Sequence, residues 1–243
     1  MDRPYTICYL NCSADGHIDG EFMRSEEFAV PTDIFRRKWL EMDADCTVYG
    51  AVTMAQFADG FLKDHEPLPP ADRHYPREDY IAPCDAKKYY LAVNTKGTVA
   101  YTSNYIEARG RGRHGIIHAL TENISDEYLA YLRRKEISYI FCGRETLDPV
   151  VMMQKAYALF GLKKAIVSGG AYTDWTLLEK GLIDEITMML NPVVDGNPSA
   201  HSVFLRSDGM LPTSVGLRFA GAEPTRGDGL LVTYIPKNIR PNA

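Results

Sequence analysis

Short apolar runs rich in β-branched and aromatic residues alternate with segments of helical period along nearly the whole chain. No other feature constrains the fold as strongly. The runs read as strands over Tyr5–Asn11, Cys46–Tyr49, Lys88–Asn94, Gly115–Leu120, Ser138–Cys142, Lys164–Ser168 and Glu185–Pro192, with a last pair near Gly216–Ala220 and Leu230–Ile235. Helices are expected over Thr32–Met42, Ser125–Lys135, Asp148–Phe160 and Thr173–Lys180. Thr32 follows a proline, Ser125 precedes two acids, and Asp148 precedes Pro149, each a helix-start signal. Gly161 and Gly181 stand just beyond two of the helix ends.

Such alternation implies a largely parallel sheet with helices on both faces. The last two strands, joined by GAEPTRGDG, read as an antiparallel hairpin finishing it. With no internal repeat, residues 1–243 are expected to form a single domain. The proline- and charge-rich stretch from Asp59 to Asp85 is too long for a plain connector and is expected to cap a site or an interface.

The chain has 243 residues, and 45% are hydrophobic. Roughly 75% of the unfolded surface of a chain this size can be buried, so no metal or disulfide staple is required. The net charge of −5 argues against a nucleic-acid partner while leaving room for a local basic pocket. Of the five cysteines, Cys8, Cys46 and Cys142 lie in strand-like runs, and none forms a Cys-x-x-Cys pair. They read as buried free thiols in a reducing compartment. The first residues lack a signal-peptide pattern, and no stretch approaches the roughly 20 apolar residues of a membrane span, so a cytoplasmic location is expected.

Four stretches bear on chemistry. SADGHIDGEFMRSE (Ser13–Glu26) places Asp15, Asp19, Gly20 and Glu26 where a calcium-binding EF-hand loop needs them. His17 and Met23 are poor ligands for that ion, and a strand-like run precedes the loop instead of a helix, so no metal is expected. Between Lys163 and Val194, a strand ends at Ser168, Gly169 and Gly170 follow, and a helix opens near Thr173. The pair of glycines makes either a tight strand-to-helix turn or a cradle in which helix amides meet an anion. In CTVYGAVTMAQF, Gly50 ends a buried strand, and the Thr53 hydroxyl either caps the next helix or donates to a phosphate. Gly110–Gly115 fits G-x-G-x-x-G literally but precedes a strand, so it is not read as a dinucleotide loop. Its Arg109, Arg111 and Arg113 read as a solvated basic turn.

Taken in order, these motifs resemble the RibD C-terminal domain family of riboflavin-pathway reductases, within the dihydrofolate reductase-like fold. The resemblance runs through Ser13-Ala14-Asp15-Gly16-His17-Ile18, Ala44-Asp45, Gly50-Ala51-Val52-Thr53, Gly169-Gly170, Gly181-Leu182-Ile183-Asp184-Glu185 and Asn191-Pro192-Val193-Val194-Asp195-Gly196. It implies a three-layer α/β/α architecture with a mostly parallel mixed sheet, acting as a homodimeric, NADPH-dependent reductase. The substrate implied is a 5-amino-6-(5-phosphoribosylamino)uracil-like pyrimidine or a related imine or carbonyl.

By the same resemblance, Gly50, Thr53 and the turn Ser168, Gly169, Gly170, Ala171, Tyr172 and Thr173 meet the cofactor's pyrophosphate. Asn94, Thr95 and Lys96 lie near its adenosine and 2′-phosphate, with Lys96 otherwise an ordinary turn lysine. The loop from Ser13 to Gly20 lies against nicotinamide and substrate. Asp15 then orients the substrate or relays a proton, and His17, unless simply an exposed loop residue, is the candidate proton donor because imidazoles titrate near neutrality.

The chain departs from the family pattern in carrying His17 where Lys is usual and Ser168 where Glu is usual. It keeps only Asp59 of an acid-rich motif. These departures leave a catalytically inactive nucleotide-binding protein as the alternative. A likeness to dihydrofolate reductases proper touches Pro31–Ile34, where an acid would bind a pteridine; Asp33 is read instead as a first-turn acid serving the helix dipole.

Overall fold

A computed structural model describes residues 2–108, 110, 112–207 and 214–237. In chain order the elements are β1 (Tyr5–Cys12), α1 (Glu26–Glu41), β2 (Cys46–Gly50), α2 (Ala51–Phe57), β3 (Lys88–Val93), β4 (Tyr105–Ala108), β5 (Gly112–Leu120), α3 (Asp126–Arg134), β6 (Ser138–Phe141), α4 (Pro149–Phe160), β7 (Lys164–Val167), α5 (Ala171–Glu179), β8 (Glu185–Leu190), β9 (Leu217–Pro224) and β10 (Leu230–Pro236). The chain is thus mixed α/β and ends in an antiparallel hairpin, as the sequence implies. It divides into two compact units: Asp45–Ala165 with the residues up to Pro4, and Tyr5–Ala44 with the chain from Ile166 onward.

In the first unit, β2, β3, β5 and β6 pair in parallel and β4 adds antiparallel to β5. The strands are buried on both faces, so they read as continuous apolar runs. Tyr90, Leu91, Ile117, Leu129, Leu132 and Tyr139 are among its fully buried side chains. Ser125 Oγ accepts the Tyr128 amide at the start of α3, and Asp148 Oδ1 accepts the amides of Val150 and Val151 at the start of α4, as their sequence signals promise. The motif acid Asp45 accepts the amides of Lys163 and Lys164 at 2.7 and 2.9 Å, so its task is to tie two chain segments together.

The irregular stretch between Asp59 and Asp85 runs along the outer edge of β6. Tyr80 and Tyr139 exchange backbone hydrogen bonds at 2.9 Å, Asp79 accepts the Phe141 amide at 2.8 Å, and Ser138 Oγ accepts the Ala82 amide. The Arg133 guanidinium lies 4.4 Å from the Tyr80 ring and donates to the Tyr139 hydroxyl. This satisfies backbone groups that an edge strand would otherwise leave open.

In the second unit, β1 and β8 pair in parallel, with Cys12 opposite Leu190. β8, β10 and β9 then continue antiparallel. The motif acid Asp184 accepts the Thr6 amide at 2.7 Å and donates its own amide to the Thr6 carbonyl, which fixes where β1 starts. Helix α1 lays Ile34, Phe35 and Trp39 against Ile7, Tyr9, Met189 and Leu231, with the Tyr9 and Phe35 rings stacked at 4.1 Å. Burying one such ring contributes roughly 1.5–3 kcal/mol.

Several boundaries differ from the sequence reading. Helix α1 starts at Glu26, not Thr32, because Ser25 Oγ accepts the Phe28 amide and caps it. Pro31 therefore lies inside the helix, at the cost of one helix hydrogen bond. Its ring packs under the β9–β10 turn so closely that a Cβ on Gly229 would fall 2.8 Å from it. Asp33 consequently stands beyond the first turn and pairs with Arg36 at 3.3 Å. Helix α5 starts at Ala171, two residues early, and α2 starts at Ala51 after Gly50, so Thr53 lies within that helix and does not cap it. Strand β4 was not expected at all.

Gly112 to Gly115 belong to β5, consistent with rejecting a dinucleotide loop there. Arg113 stacks on Tyr105 at 3.6 Å, while Arg109 and Arg111 lie outside the described residues. The cysteines are free thiols, four of them buried, but Cys84 is only half-buried. Among the described residues, no helix is long and apolar enough to cross a membrane.

Candidate functional site

Because β1 and β8 are adjacent and parallel, the loops that follow them emerge side by side at the carboxyl ends of the strands, where open α/β sheets place their ligands. The loop from Ser13 to Gly20 follows β1, and a strap of residues 193–205 follows β8. The Ala14 amide donates to the Val193 carbonyl at 2.8 Å, Ile18 to His201 at 3.0 Å, and Val203 to Gly16 at 3.1 Å. Farther along, the Leu205 amide donates to the Ala171 carbonyl, so the strap also reaches the first residue of α5. Loop, strap and helix start thus form one hydrogen-bonded group within the second unit.

Asp15 is the staple of this group. Its Oδ1 accepts the buried Ser13 hydroxyl at 2.5 Å and the Asp195 amide at 3.2 Å, and its Oδ2 accepts the Gly196 amide at 2.8 Å. The Ser13 hydroxyl, then the Gly196 amide, hold its carboxyl well below the usual carboxylate range. A carboxylate so committed keeps its charge at neutral pH and carries no proton.

His17 is fixed beside it. Its amide donates to Ser13 Oγ at 2.9 Å, and its Nδ1 lies 3.0 Å from Asp195 Oδ2 and 3.7 Å from Asp15 Oδ2. A carboxylate on Nδ1 sets the tautomer with the proton on that nitrogen. Asp19 likewise meets the His201 ring at 2.6 Å and the His201 amide at 2.9 Å. Partial burial works against its charge, but the two His201 bonds outweigh it and the Asp19 pKa falls. The loop is preceded by β1, so a helix–loop–helix setting is absent here, and no three-member metal-ligating cluster occurs among the described residues. Asp195 and His201 carry no signal of their own in the sequence, although Asp195 lies inside a quoted motif, and Asp19 stands out there only as an EF-hand position.

At the second part of the site, β7 ends at Val167, and Ser168, Gly169 and Gly170 lead into α5. Gly169 has φ +114°, a conformation that favours glycine. Gly170 occupies the cap position with no side-chain cap, and its carbonyl accepts the amides of Thr173 and Asp174. The amides of Ala171 and Tyr172 have no partner among the described residues, which leaves donors and the positive end of the helix dipole for an anion. Asp174, which the sequence reading passed over, is completely buried beneath this turn and accepts the Gly169 amide at 3.2 Å.

The remaining expected residues lie in the first unit. Gly50 precedes α2, and Thr53 is half-buried on its first turn. Asn94 is buried and uses its side chain internally: Nδ2 donates to the Tyr128 hydroxyl at 2.9 Å, and Oδ1 accepts from Thr98. What it offers a ligand is the shape of the turn. Gly97, at φ +60°, completes that turn, since a Cβ there would fall 2.6 Å from Ile124. Thr95 is half-buried and Lys96 projects into solvent. Asp59 is engaged by the amide and hydroxyl of Thr102.

Comparison with known proteins agrees with this fold. The model of the RibD C-terminal domain family matches residues 4–230, and the chain belongs to that family. It resembles the structure of a pyrimidine reductase-like protein from Corynebacterium diphtheriae, at 15% identity and a TM-score of 0.65, covering 97% of this chain and 92% of that one. The riboflavin biosynthesis reductase Rib7 of Saccharomyces cerevisiae is similar at 12% identity and a TM-score of 0.60, with 96% and 90% covered. RibD of Acinetobacter baumannii is similar at 12% identity and a TM-score of 0.61, where 97% of this chain spans 58% of that one.

Proposed function

We propose that this member of the RibD C-terminal domain family is an NADPH-dependent reductase that delivers hydride to an electrophilic carbon of a phosphoribosylamino-pyrimidine or a related imine or carbonyl. The observation that carries this reading is the family match over residues 4–230, which takes in both the Ser13–Gly20 loop and the glycine turn of α5. The open amides of Ala171 and Tyr172 suit a phosphate group, and Gly169, Gly170 and Thr173 would line it. In the first unit, Gly50, Thr53, Thr95 and Lys96 remain the expected cofactor contacts.

The reduced nicotinamide supplies the hydride when bound. The chain's own tasks are orientation and proton supply. Asp15, held ionised by three hydrogen bonds, fixes the loop, and His17 is the group left to give a proton at the reacting centre. Asp195 on Nδ1 leaves Nε2 as the nitrogen for a substrate, and the proton it gives is that of the imidazolium, which then relaxes to the neutral ring with its remaining proton on Nδ1. A positioned acid of this kind typically contributes 10²–10⁴-fold.

Fluorescence titration of the purified protein with NADPH, followed by turnover on a panel of pyrimidine, pterin and carbonyl compounds, tests the reading. Saturable binding with turnover on one class supports it. Binding without turnover favours the inactive nucleotide-binding protein that the His17 and Ser168 departures suggest, and the absence of both overturns it.

A further inference from the structure

We infer that Asp174 is a positioning residue for the glycine turn that opens α5: as a neutral acid it holds the turn in its anion-binding shape, and on losing its proton it releases the turn and the phosphate-bearing ligand with it. The inference rests on the reading of this turn as the cofactor's phosphate site.

An aspartate in the first turn of a helix is ordinarily exposed, serving the dipole from the surface. Asp174 is not. Its side chain has no exposed area, and it points back under the turn, where Oδ1 accepts the Gly169 amide. Its Oδ2 is buried with no hydrogen-bond partner among the described residues. No side chain caps α5, so among the described residues the Gly169 contact is the one side-chain hydrogen bond tying the glycine pair to the helix. The titratable group facing it from β1 is the Cys8 thiol, which burial first and Asp174 second push well above its ordinary pKa. No lysine, arginine or histidine forms an ion pair with Asp174 among the described residues.

This setting suits the neutral acid. One amide does not compensate a buried carboxylate, and a lone charge there must either be neutralised or reach water. Burial pushes the Asp174 pKa up to about 8, with the Gly169 amide pulling weakly the other way. When the proton leaves, the new charge lies buried against the Gly169 amide, in the same turn that offers its open amides to an anion, so it opposes a bound anion, and its hydration requires the turn to open.

The test compares wild type with Asp174→Asn, which keeps an oxygen for the Gly169 amide and cannot ionise. In wild type the Kd for NADPH is expected to rise about tenfold between about pH 7 and pH 9, the factor by which the protonated fraction falls. Asn at this position should flatten that dependence. Amide hydrogen exchange across residues 168–172, corrected for intrinsic rates, supplies a ligand-free readout. It should accelerate above about pH 8 in wild type only.

A flat wild-type profile in the exchange readout, or the same rise in the variant, overturns the inference. Should the variant fail to fold, the wild-type exchange profile alone decides. Exchange that opens with pH while NADPH binds at no pH leaves the device standing and removes the cofactor assignment.

Discussion

His17 Nδ1 lies 3.0 Å from Asp195 Oδ2, a pairing between residues 178 positions apart. It exists because β1 and β8 are parallel neighbours that end level with each other. His17→Gln retains polarity without an acid–base nitrogen. Turnover is expected to fall about 10²–10⁴-fold. NADPH affinity should change little, a separation that paired turnover and binding measurements on the same variant can check. Equal losses in both would make His17 a structural residue.

Asp15→Asn is expected to loosen the strap, because one face of the new amide presents a donor toward groups that already donate. Hydrogen exchange at Asp195 and Gly196 should accelerate, and turnover should drop at least tenfold. A variant with full turnover and unchanged exchange would remove Asp15 from the site.

Lys96 projects into solvent from a turn held by Asn94 and Gly97, free to meet the 2′-phosphate that separates NADPH from NADH. Lys96→Ala should weaken NADPH binding by roughly 1–3 kcal/mol, the range for a charge-assisted hydrogen bond. Binding of NADH should stay nearly constant. Calorimetry with both cofactors gives the answer, and parallel losses would mean that Lys96 does not read the phosphate.

Two buried groups set opposing slopes of stability with pH. Folded Asp174 keeps, up to about pH 8, a proton that the unfolded chain releases near its ordinary value of 3.8, so this group lowers stability as pH rises through that window. His118, with both ring nitrogens buried against Tyr101 and Tyr128 and unpartnered among the described residues, is pushed by burial down to about 3. The unfolded chain takes up that proton below about pH 6.5, so His118 raises stability as pH rises from about 3 to 6.5. The two nearly offset at acid pH. Between about pH 6.5 and 8 only the Asp174 slope remains, approaching ~1.4 kcal/mol per pH unit. Urea melts across this range should show the decline, and His118→Phe, which removes the opposing slope, should extend that decline down toward about pH 4.

The order of strands and helices was legible because these strands are buried on both faces and read as apolar runs. Strand β4 escaped notice because Tyr105–Ala108 is four residues long and carries a charge in its middle. The start of α1 is hidden in the sequence because Pro31, which lies inside the helix, carries the signal of a boundary. Ser25 followed by two acids is the same signal that marked Ser125, and it marks the true start. The loop Ser13–Gly20 and the glycine turn were visible as motifs. What sequence did not display is which acids serve the fold and which serve the site. Asp45 and Asp184, equally prominent in the motifs, turned out to tie strands by accepting backbone amides. The significance of Asp174 depends wholly on its burial, and that of Asp195 and His201 on strand adjacency, neither of which a linear pattern contains.

Hydride transfer itself is the most direct test. NADPH deuterated at the transferable nicotinamide position, incubated with the purified protein and the phosphoribosylamino-pyrimidine or the best compound from the panel, is followed by mass spectrometry of the product. The account predicts a product carrying one deuterium, formed in step with loss of reduced-nicotinamide absorbance and suppressed in His17→Gln. Product without deuterium, or no cofactor consumption across the panel despite saturable NADPH binding, would contradict it.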